Sequence, residues 1–243
     1  MQAASSASLS QALRAMASPA KAEVLKGFFK TGPGQYGEGD RFLGVTVPQI
    51  RSLLLQGRSL TLDALDPLLR SAWHEERVLG VFLVVKRAQR AQKARDLAGL
   101  AACHRYYLDR RGGINNWDLV DLSAEHVVGA WLWENPEERG LLKALAASKV
   151  MWDRRIAVLS TFHFIKRGDP KPTLQLCESL LKDEQDLMHK ATGWMLREVG
   201  KRGGDQELRG FLKSYASTMP RTSLRYAIER FPETTRRFYL SQK

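Results

Sequence analysis

One type of helix start recurs along this chain at a nearly even interval, and no other feature restricts its fold as much. Trp73-His74-Glu75-Glu76-Arg77-Val78-Leu79-Gly80 is followed by Trp117-Asp118-Leu119-Val120-Asp121 and by Trp152-Asp153-Arg154-Arg155-Ile156-Ala157. Met188-His189-Lys190-Ala191-Thr192-Gly193 and Ser223-Leu224-Arg225-Tyr226-Ala227-Ile228 complete the series. Anchored on Arg77, Asp118, Arg155, Lys190 and Arg225, the steps are 41, 37, 35 and 35 residues. Such a period marks paired helices of the HEAT or armadillo type. One pair cannot bury its apolar face alone, so neighbours stack into a curved solenoid. The expected fold is all-α, a HEAT-like solenoid forming a single domain over residues 1–243; an irregular helical bundle is the alternative. If the anchors are equivalent they line one concave face, and a row of Arg and Lys there is a track for phosphates.

Local signals agree with helices throughout. Ser18-Pro19 reads as an N-cap followed by Pro at the first helical position, and Asn135-Pro136-Glu137-Glu138 repeats the arrangement with acids in the first turn. Gly112-Gly113, Gly168-Asp169-Pro170 and Gly203-Gly204 punctuate the chain. The best β-like run, Val81 to Val85, lies inside a longer helical pattern from Trp73 to Arg90 and reads as buried helix. Residues 1–17 lack the apolar core of a secretory signal and read as an N-terminal helix that can fray.

The charge narrows the partner. The net charge is +12, and the excess of basic over acidic residues grows from 2 to 4 to 6 over successive thirds of the chain (9 against 7, 13 against 9, 16 against 10). A folded basic surface, not a basic tail, must present this charge, and such a surface attracts nucleic acid or anionic membrane. No run approaches the roughly 20 apolar residues of a membrane span. The two cysteines, Cys103 and Cys177, lie 74 residues apart with no Cys-x-x-Cys, which suits a reducing cytosol rather than a disulfide scaffold or zinc finger.

Four segments can carry chemistry. In Gly112 to Asp121, Asn115 or Asn116 can cap a helix, and Asp118 then sits in the first turn, favoured by the macrodipole. Trp117 and Asp121 are four apart and share a face. An indole beside a carboxylate suits a flat cation, although a core Trp with a surface Asp gives the same pattern. In Met151 to Arg155, Arg155 begins an apolar run at the edge of the core, where it can reach a phosphate, pair with Asp121, or form an ordinary inter-helix ion pair. In Leu187 to Glu198, Gly193 inside a helix costs about 1 kcal/mol relative to Ala, so a close backbone approach is expected there. Trp194 beside it is a core residue or a second aromatic wall, with Arg197 one turn on. In Lys30 to Val45, four glycines in eight residues resemble a phosphate-cradling loop, but no Gly-Lys-Ser/Thr follows to make a P-loop. The amides of the next helix start, with Arg51, can hold a phosphate. The five histidines (74, 104, 126, 163 and 189) show no metal-ligand or catalytic spacing and read as structural.

Taken in order, these segments resemble the AlkD family of alkylpurine DNA glycosylases. The matching stretches are Gly37 to Arg51, Asn116-Trp-Asp-Leu-Val-Asp121, Trp152-Asp-Arg-Arg155-Ile-Ala and Lys190-Ala-Thr-Gly-Trp194-Met-Leu-Arg-Glu198. The resemblance runs from about residue 20 to 240; no single motif is diagnostic, and the ordered set is what carries it. It implies a HEAT-like solenoid and release of N3- or N7-alkylated purines, as a base excision repair glycosylase, with no metal and no cofactor. By position it makes Asp121 the catalytic carboxylate, with Trp117 and Trp194 flanking the damaged nucleotide and Arg155 on the backbone. Tyr36 would match the family's N-terminal aromatic; Thr46 and Arg51 would be DNA contacts, and Arg154, Lys190, Arg197 and Arg225 complete that set. The expected partner is double-stranded DNA carrying alkylated purines, bound by a monomer without membrane attachment, in the cytosol on a bacterial nucleoid or in a eukaryotic nucleus.

The implied chemistry fits these residue types. An N-alkylated purine is already cationic and leaves as a neutral base, so no general acid is required. A fixed carboxylate stabilises the oxocarbenium character growing on the sugar and orients water. Each Trp face favours a cationic nucleoside by about 0.5–2 kcal/mol, roughly 2- to 30-fold, so lesion lability must supply much of the selectivity. Two other readings use the same fold: a non-catalytic binder of damaged or branched DNA, which needs no Asp121, and a protein-interaction scaffold, which needs no basic surface.

Overall fold

The computed structural model describes residues 5–242. Among them every regular element is helical, and the only β feature is a single parallel bridge between Arg41 and Trp73. The longer helices are α1 (Ser6–Ala15), α2 (Pro19–Phe28), α3 (Val47–Ser52), α4 (His74–Ala94), α5 (Leu97–Asp109), α6 (Trp117–Ala124), α7 (Gly140–Ala146), α8 (Met151–Ser160), α9 (Lys171–Ser179), α10 (Asp186–Lys201), α11 (Asp205–Tyr215), α12 (Arg221–Ala227) and α13 (Glu233–Ser241). The chain packs as two compact units, one ending at Ser123 and the other beginning at Ala124.

In the first unit α4 is the central rod. It packs against α1, α3, α5 and the short turn Asp66–Leu69. Val81 to Val85 lie within it and are all buried, so the β-like run is core helix, as its setting predicts. Its first four residues, His74, Glu75, Glu76 and Arg77, are ionisable and each at most 4% exposed. Buried charges survive only when paired and hydrogen-bonded. Glu76 accepts from Arg14 Nε at 3.0 Å and from Ser71 Oγ at 2.7 Å, which ties α1 to the start of α4. Of the N-terminal helix expected over residues 1–17, α1 spans 6–15, with Leu9 and Leu13 fully buried; residues 1–4 lie outside the described residues.

In the second unit the helices that carry the sequence anchors stack in chain order. The π-helical turn Glu125–Gly129 packs on α8, α8 on α10, and α10 on α12. A second layer follows them: α7 and α9 pack on α8, and α9 and α11 on α10. This sequential layering is what a helix-pair period demands. Cys177 and Leu196 join Leu208, Leu212, Leu224 and Ile228 in its core. Both cysteines of the chain are buried, and burial pushes each thiol pKa up.

Gly193 sits where α10 crosses α12. A Cβ there would stand 2.4 Å from Ser223 O and 2.6 Å from Tyr226 Cβ, and the same crossing is closed by Thr192 Oγ1 and Ser223 Oγ at 3.0 Å. The close approach expected from a glycine in mid-helix is present. Gly193→Ala should therefore destabilise the protein by about 1–3 kcal/mol despite alanine's better helix propensity, because the obstruction is backbone. Urea unfolding measures this, and an unchanged or raised midpoint would contradict the packing.

Candidate active site

Five polar groups, buried or half-buried, gather where α4 and α6 begin. His74 Nε2 meets Asp118 Oδ2 at 2.8 Å, and His74 Nδ1 meets Asp40 Oδ2 at 3.2 Å. Arg77 donates to Asp40 Oδ1 at 2.5 Å and to Ser71 O at 2.9 Å. Asn116 Nδ2 donates to Asp40 Oδ2 at 2.9 Å, and Asn116 Oδ1 accepts from the Trp117 amide at 2.8 Å. Burial alone would raise the Asp40 pKa, but its bonds to His74, Arg77 and Asn116 prevail and hold it below the ordinary carboxylate value. Burial alone would lower the His74 pKa, and the bonds from Asp118 and Asp40 reverse that and hold it above the ordinary imidazole value. The first turn of α6, which carries Trp117 and leads to Asp121, is thus bolted to the first turn of α4.

Aromatic rings build on this base. His74 lies 4.8 Å from both Phe29 and Phe42, centroid to centroid, and Phe29 stacks on Trp117 at 5.4 Å and 15°. Phe28, 62% exposed, meets Trp117 edge-on at 5.9 Å. Behind them lies a cavity of about 280 Å³ lined by Phe29, Phe42, Val45, Ile50, His74 and Asp118. Neither Phe28 nor Phe29 stands out in the sequence, where the aromatic pair precedes the glycine loop as an ordinary helix end. The same holds for His74 and Asp40, whose partnership joins residues 34 apart.

Asp118 does more than satisfy a helix dipole. Its Oδ1 accepts from the Leu119 amide at 2.9 Å while Oδ2 holds His74. The glycine loop also differs from the phosphate cradle it resembles. Gly32 N donates to Gln35 Oε1 at 3.0 Å and Gly34 N to Glu38 Oε2 at 2.8 Å, so the loop's own side chains occupy these amides. The loop instead delivers Asp40 to the buried cluster. Tyr36, half-buried, donates its hydroxyl to Phe28 O at 3.3 Å, tying the loop to the aromatic pair.

The helix start at Thr46 is occupied as well. The Thr46 amide donates to Gln49 Oε1 at 2.9 Å and Thr46 Oγ1 to the same atom at 2.7 Å. Pro48 brings no amide, and α3 is six residues long, so this start offers far less to an anion than the sequence suggests. Arg51 is exposed, with its guanidinium 5.1 Å from the Phe82 ring. Before Thr46, Gly44 has φ +78° and a Cβ there would stand 2.2 Å from Ser18 O, which only glycine permits. Glu75 fixes this bend, accepting from the amides of Leu43, Gly44 and Val45 at 2.9, 2.8 and 3.2 Å.

The remaining candidates lie in the second unit. Arg155 is buried and donates to Leu187 O at 2.5 Å. Arg154 grips Asp183 with two nitrogens (2.6 and 3.2 Å) and donates to Ser148 O and Lys149 O, so its guanidinium closes the turns around α8. Trp194 is half-buried, its ring 6.1 Å from Phe162, and Phe162 carries Lys166 Nζ at 4.2 Å and the Arg202 guanidinium at 5.1 Å from its ring. Lys190 pairs with Asp186 at 2.8 Å, Arg197 with Glu229, and Arg225 is exposed on α12. Trp117 and Asp121 thus share α6, while Arg155, Lys190, Trp194, Arg197 and Arg225 occupy the successively stacked α8, α10 and α12.

This all-α fold is shared with a known class of proteins. The family model for DNA alkylation repair enzymes matches residues 9–231, and the chain belongs to that family, with a role in repair of alkylated DNA. A solved structure titled a predicted DNA alkylation repair enzyme from Enterococcus faecalis has the same fold, with a TM-score of 0.67 at 17% identity, over 90% of this chain and 98% of that one. No curated protein matches the sequence. Among the described residues no helix is long and apolar enough to cross a membrane.

The three amides on Glu75 give a direct check of how the site is held. Glu75→Gln keeps the size but puts an NH2 group against donors, and should cost about 2–3 kcal/mol of stability, read as a lower urea midpoint. An unchanged midpoint would mean the 43–45 bend holds without the carboxylate.

Proposed function

We propose that this protein is a DNA glycosylase that releases cationic N3- and N7-alkylated purines from double-stranded DNA, as the opening step of base excision. The observation that carries the reading is the placement of Asp121 one turn beyond Trp117 on a helix whose first turn is clamped by buried bonds from Asn116 and Asp118. Preorganised charge is the most effective form of electrostatic catalysis, because it needs no reorganisation as the transition state forms. As the C1′–N bond of the cationic nucleoside breaks, the bonding pair leaves with the base, which becomes neutral. Positive charge grows on the sugar, where the Asp121 carboxylate stabilises it and orients the water that adds at C1′. The proton released from that water passes to Asp121 or solvent. The exposed Phe28 edge and the Trp117 face give the cationic nucleoside aromatic contact on this side.

The family resemblance assigns the other roles. Trp194 is the second aromatic wall, Arg155 holds the sugar-phosphate backbone, and Tyr36 lies with Phe28 at the N-terminal aromatic position. Arg51, which the resemblance makes a DNA contact, is exposed, and the basic Lys190, Arg197 and Arg225 on the stacked helices α10 and α12 supply further contacts; Thr46, its amide and hydroxyl bonded to Gln49, and Arg154 chiefly brace the turns on which such contacts stand. The helix pairs form a HEAT-like array whose net charge of +12 favours a polyanion. No metal or organic cofactor enters the reaction, and the protein acts as a monomer.

Methylated duplex DNA incubated with purified wild type should release 3-methyladenine or 7-methylguanine, while Asp121→Asn releases neither and binds the duplex as tightly or more so. Equal release by both would remove Asp121 from the reaction. Binding without release, falling steeply with salt, would favour the non-catalytic DNA-binding reading, and salt-insensitive or absent binding the scaffold. The same mechanism requires little activity on neutral bases; efficient release of uracil from duplex DNA by wild type would exclude it.

A further inference from the structure

His74 holds a position that the reaction described above does not use. It opens the 21-residue helix α4 and is 2% exposed, with each ring nitrogen against a different carboxylate, Asp118 at 2.8 Å and Asp40 at 3.2 Å. A neutral imidazole donates from one nitrogen only and would set the lone pair of the other against a carboxylate oxygen; an imidazolium donates from both. Phe29 and Phe42 cover the ring at 4.8 Å each. Phe29 in turn stacks on Trp117, and Asp118 and Asn116, held by this cluster, start the helix that carries Trp117 and Asp121.

We infer that His74 is a positioning residue whose bonds to Asp40 and Asp118, together with its ring contacts to Phe42 and Phe29, fix the first turn of α6 and so set Trp117 and Asp121 for catalysis. This rests on the glycosylase reading. The charged groups around the imidazole are Asp40 from the glycine loop, Asp118 from α6, Arg77 and Glu75 from α4, and Lys21 from α2 at the neighbouring cavity. Arg77 Nη2, 3.4 Å from Nδ1, opposes the charge, and Glu75 is committed to the 43–45 amides. Because the folded-state pKa is raised, the clamp is complete below the ordinary imidazole value of 6.5 and is lost as pH rises through the higher folded-state value. One of the two carboxylate bonds then loses its proton, and the helix start loosens on that side.

Two measurements test this. In single-turnover base release over roughly pH 6–8.5, wild-type excision should fall on the alkaline side with a one-proton dependence. His74→Gln should be about tenfold slower at the acidic end, less than the roughly 100-fold cost of a 1 Å misplacement, with no alkaline limb and unchanged DNA affinity. A variant with the wild-type rate and pH profile would overturn the assignment. The second measurement needs no activity and no variant of His74. In wild type labelled with 5-fluorotryptophan, the Trp117 fluorine resonance, assigned by Trp117→Phe, should shift at the same pH midpoint as the His74 imidazole nitrogens, above 6.5. A Trp117 resonance that stays flat through that titration, or a His74 that stays neutral across the range, would overturn the proposal. If wild type releases no base, the glycosylase reading fails, and the fluorine titration still decides whether His74 governs Trp117.

Discussion

Four consecutive buried ionisable residues open α4, and much of the first unit follows from the need to satisfy them. His74, Glu75, Glu76 and Arg77 would each cost several kcal/mol if buried without partners. Their partners come from far along the chain: Arg14 on α1, Asp40 in the glycine loop, the amides of residues 43–45, and Asp118 on α6. Satisfying all of them at once leaves few arrangements for α1, the loop and the start of α6. The glycine at position 44 belongs to the same constraint, since the chain must bend sharply there to present three amides to one carboxylate.

On the glycosylase reading, the consequence is rigidity where charge must be met without rearrangement. A reaction that develops positive charge on a sugar is served by a carboxylate whose distance from the reacting atoms is already set. His74 stacks on Phe42, Phe42 on Phe29 and Phe29 on Trp117, which adds flat, polarisable faces at the start of the same helix. In the second unit the same physical logic appears in a different form. Arg154 and Arg155 spend hydrogen bonds on the turns and carbonyls of their own layer, so the basic helices of that stack are braced by some cations while others, such as Arg225, remain at the surface.

The fold was largely legible in the sequence because periodicity is a local, repeated signal. The anchors at Arg155, Lys190 and Arg225 do fall on helices stacked in order, and Gly193 does mark a close crossing. The pairing of Trp117 with Asp121 on one helix was legible for the same reason: both lie within one turn of chain. What the sequence concealed depends on long-range partnership. Asp118 reads as a first-turn acid because nothing near it in sequence reveals His74, and the glycine loop reads as an open cradle because Gln35 and Glu38 look like ordinary surface residues. Likewise, Thr46 to Arg51 looks like an anion-binding helix start until Gln49 folds back onto it.

A protein of this family works on DNA that has met electrophiles, and those electrophiles do not distinguish nucleobases from cysteine sulfur. The thiolate, not the thiol, is the reactive species, and its abundance falls tenfold for each unit by which the pKa rises. Cys103 and Cys177 are the only two cysteines in the chain; both are buried, and burial shifts both toward the protonated form. The folded chain therefore keeps both of its thiols out of the reactive thiolate form, by the same packing that holds its helices in register.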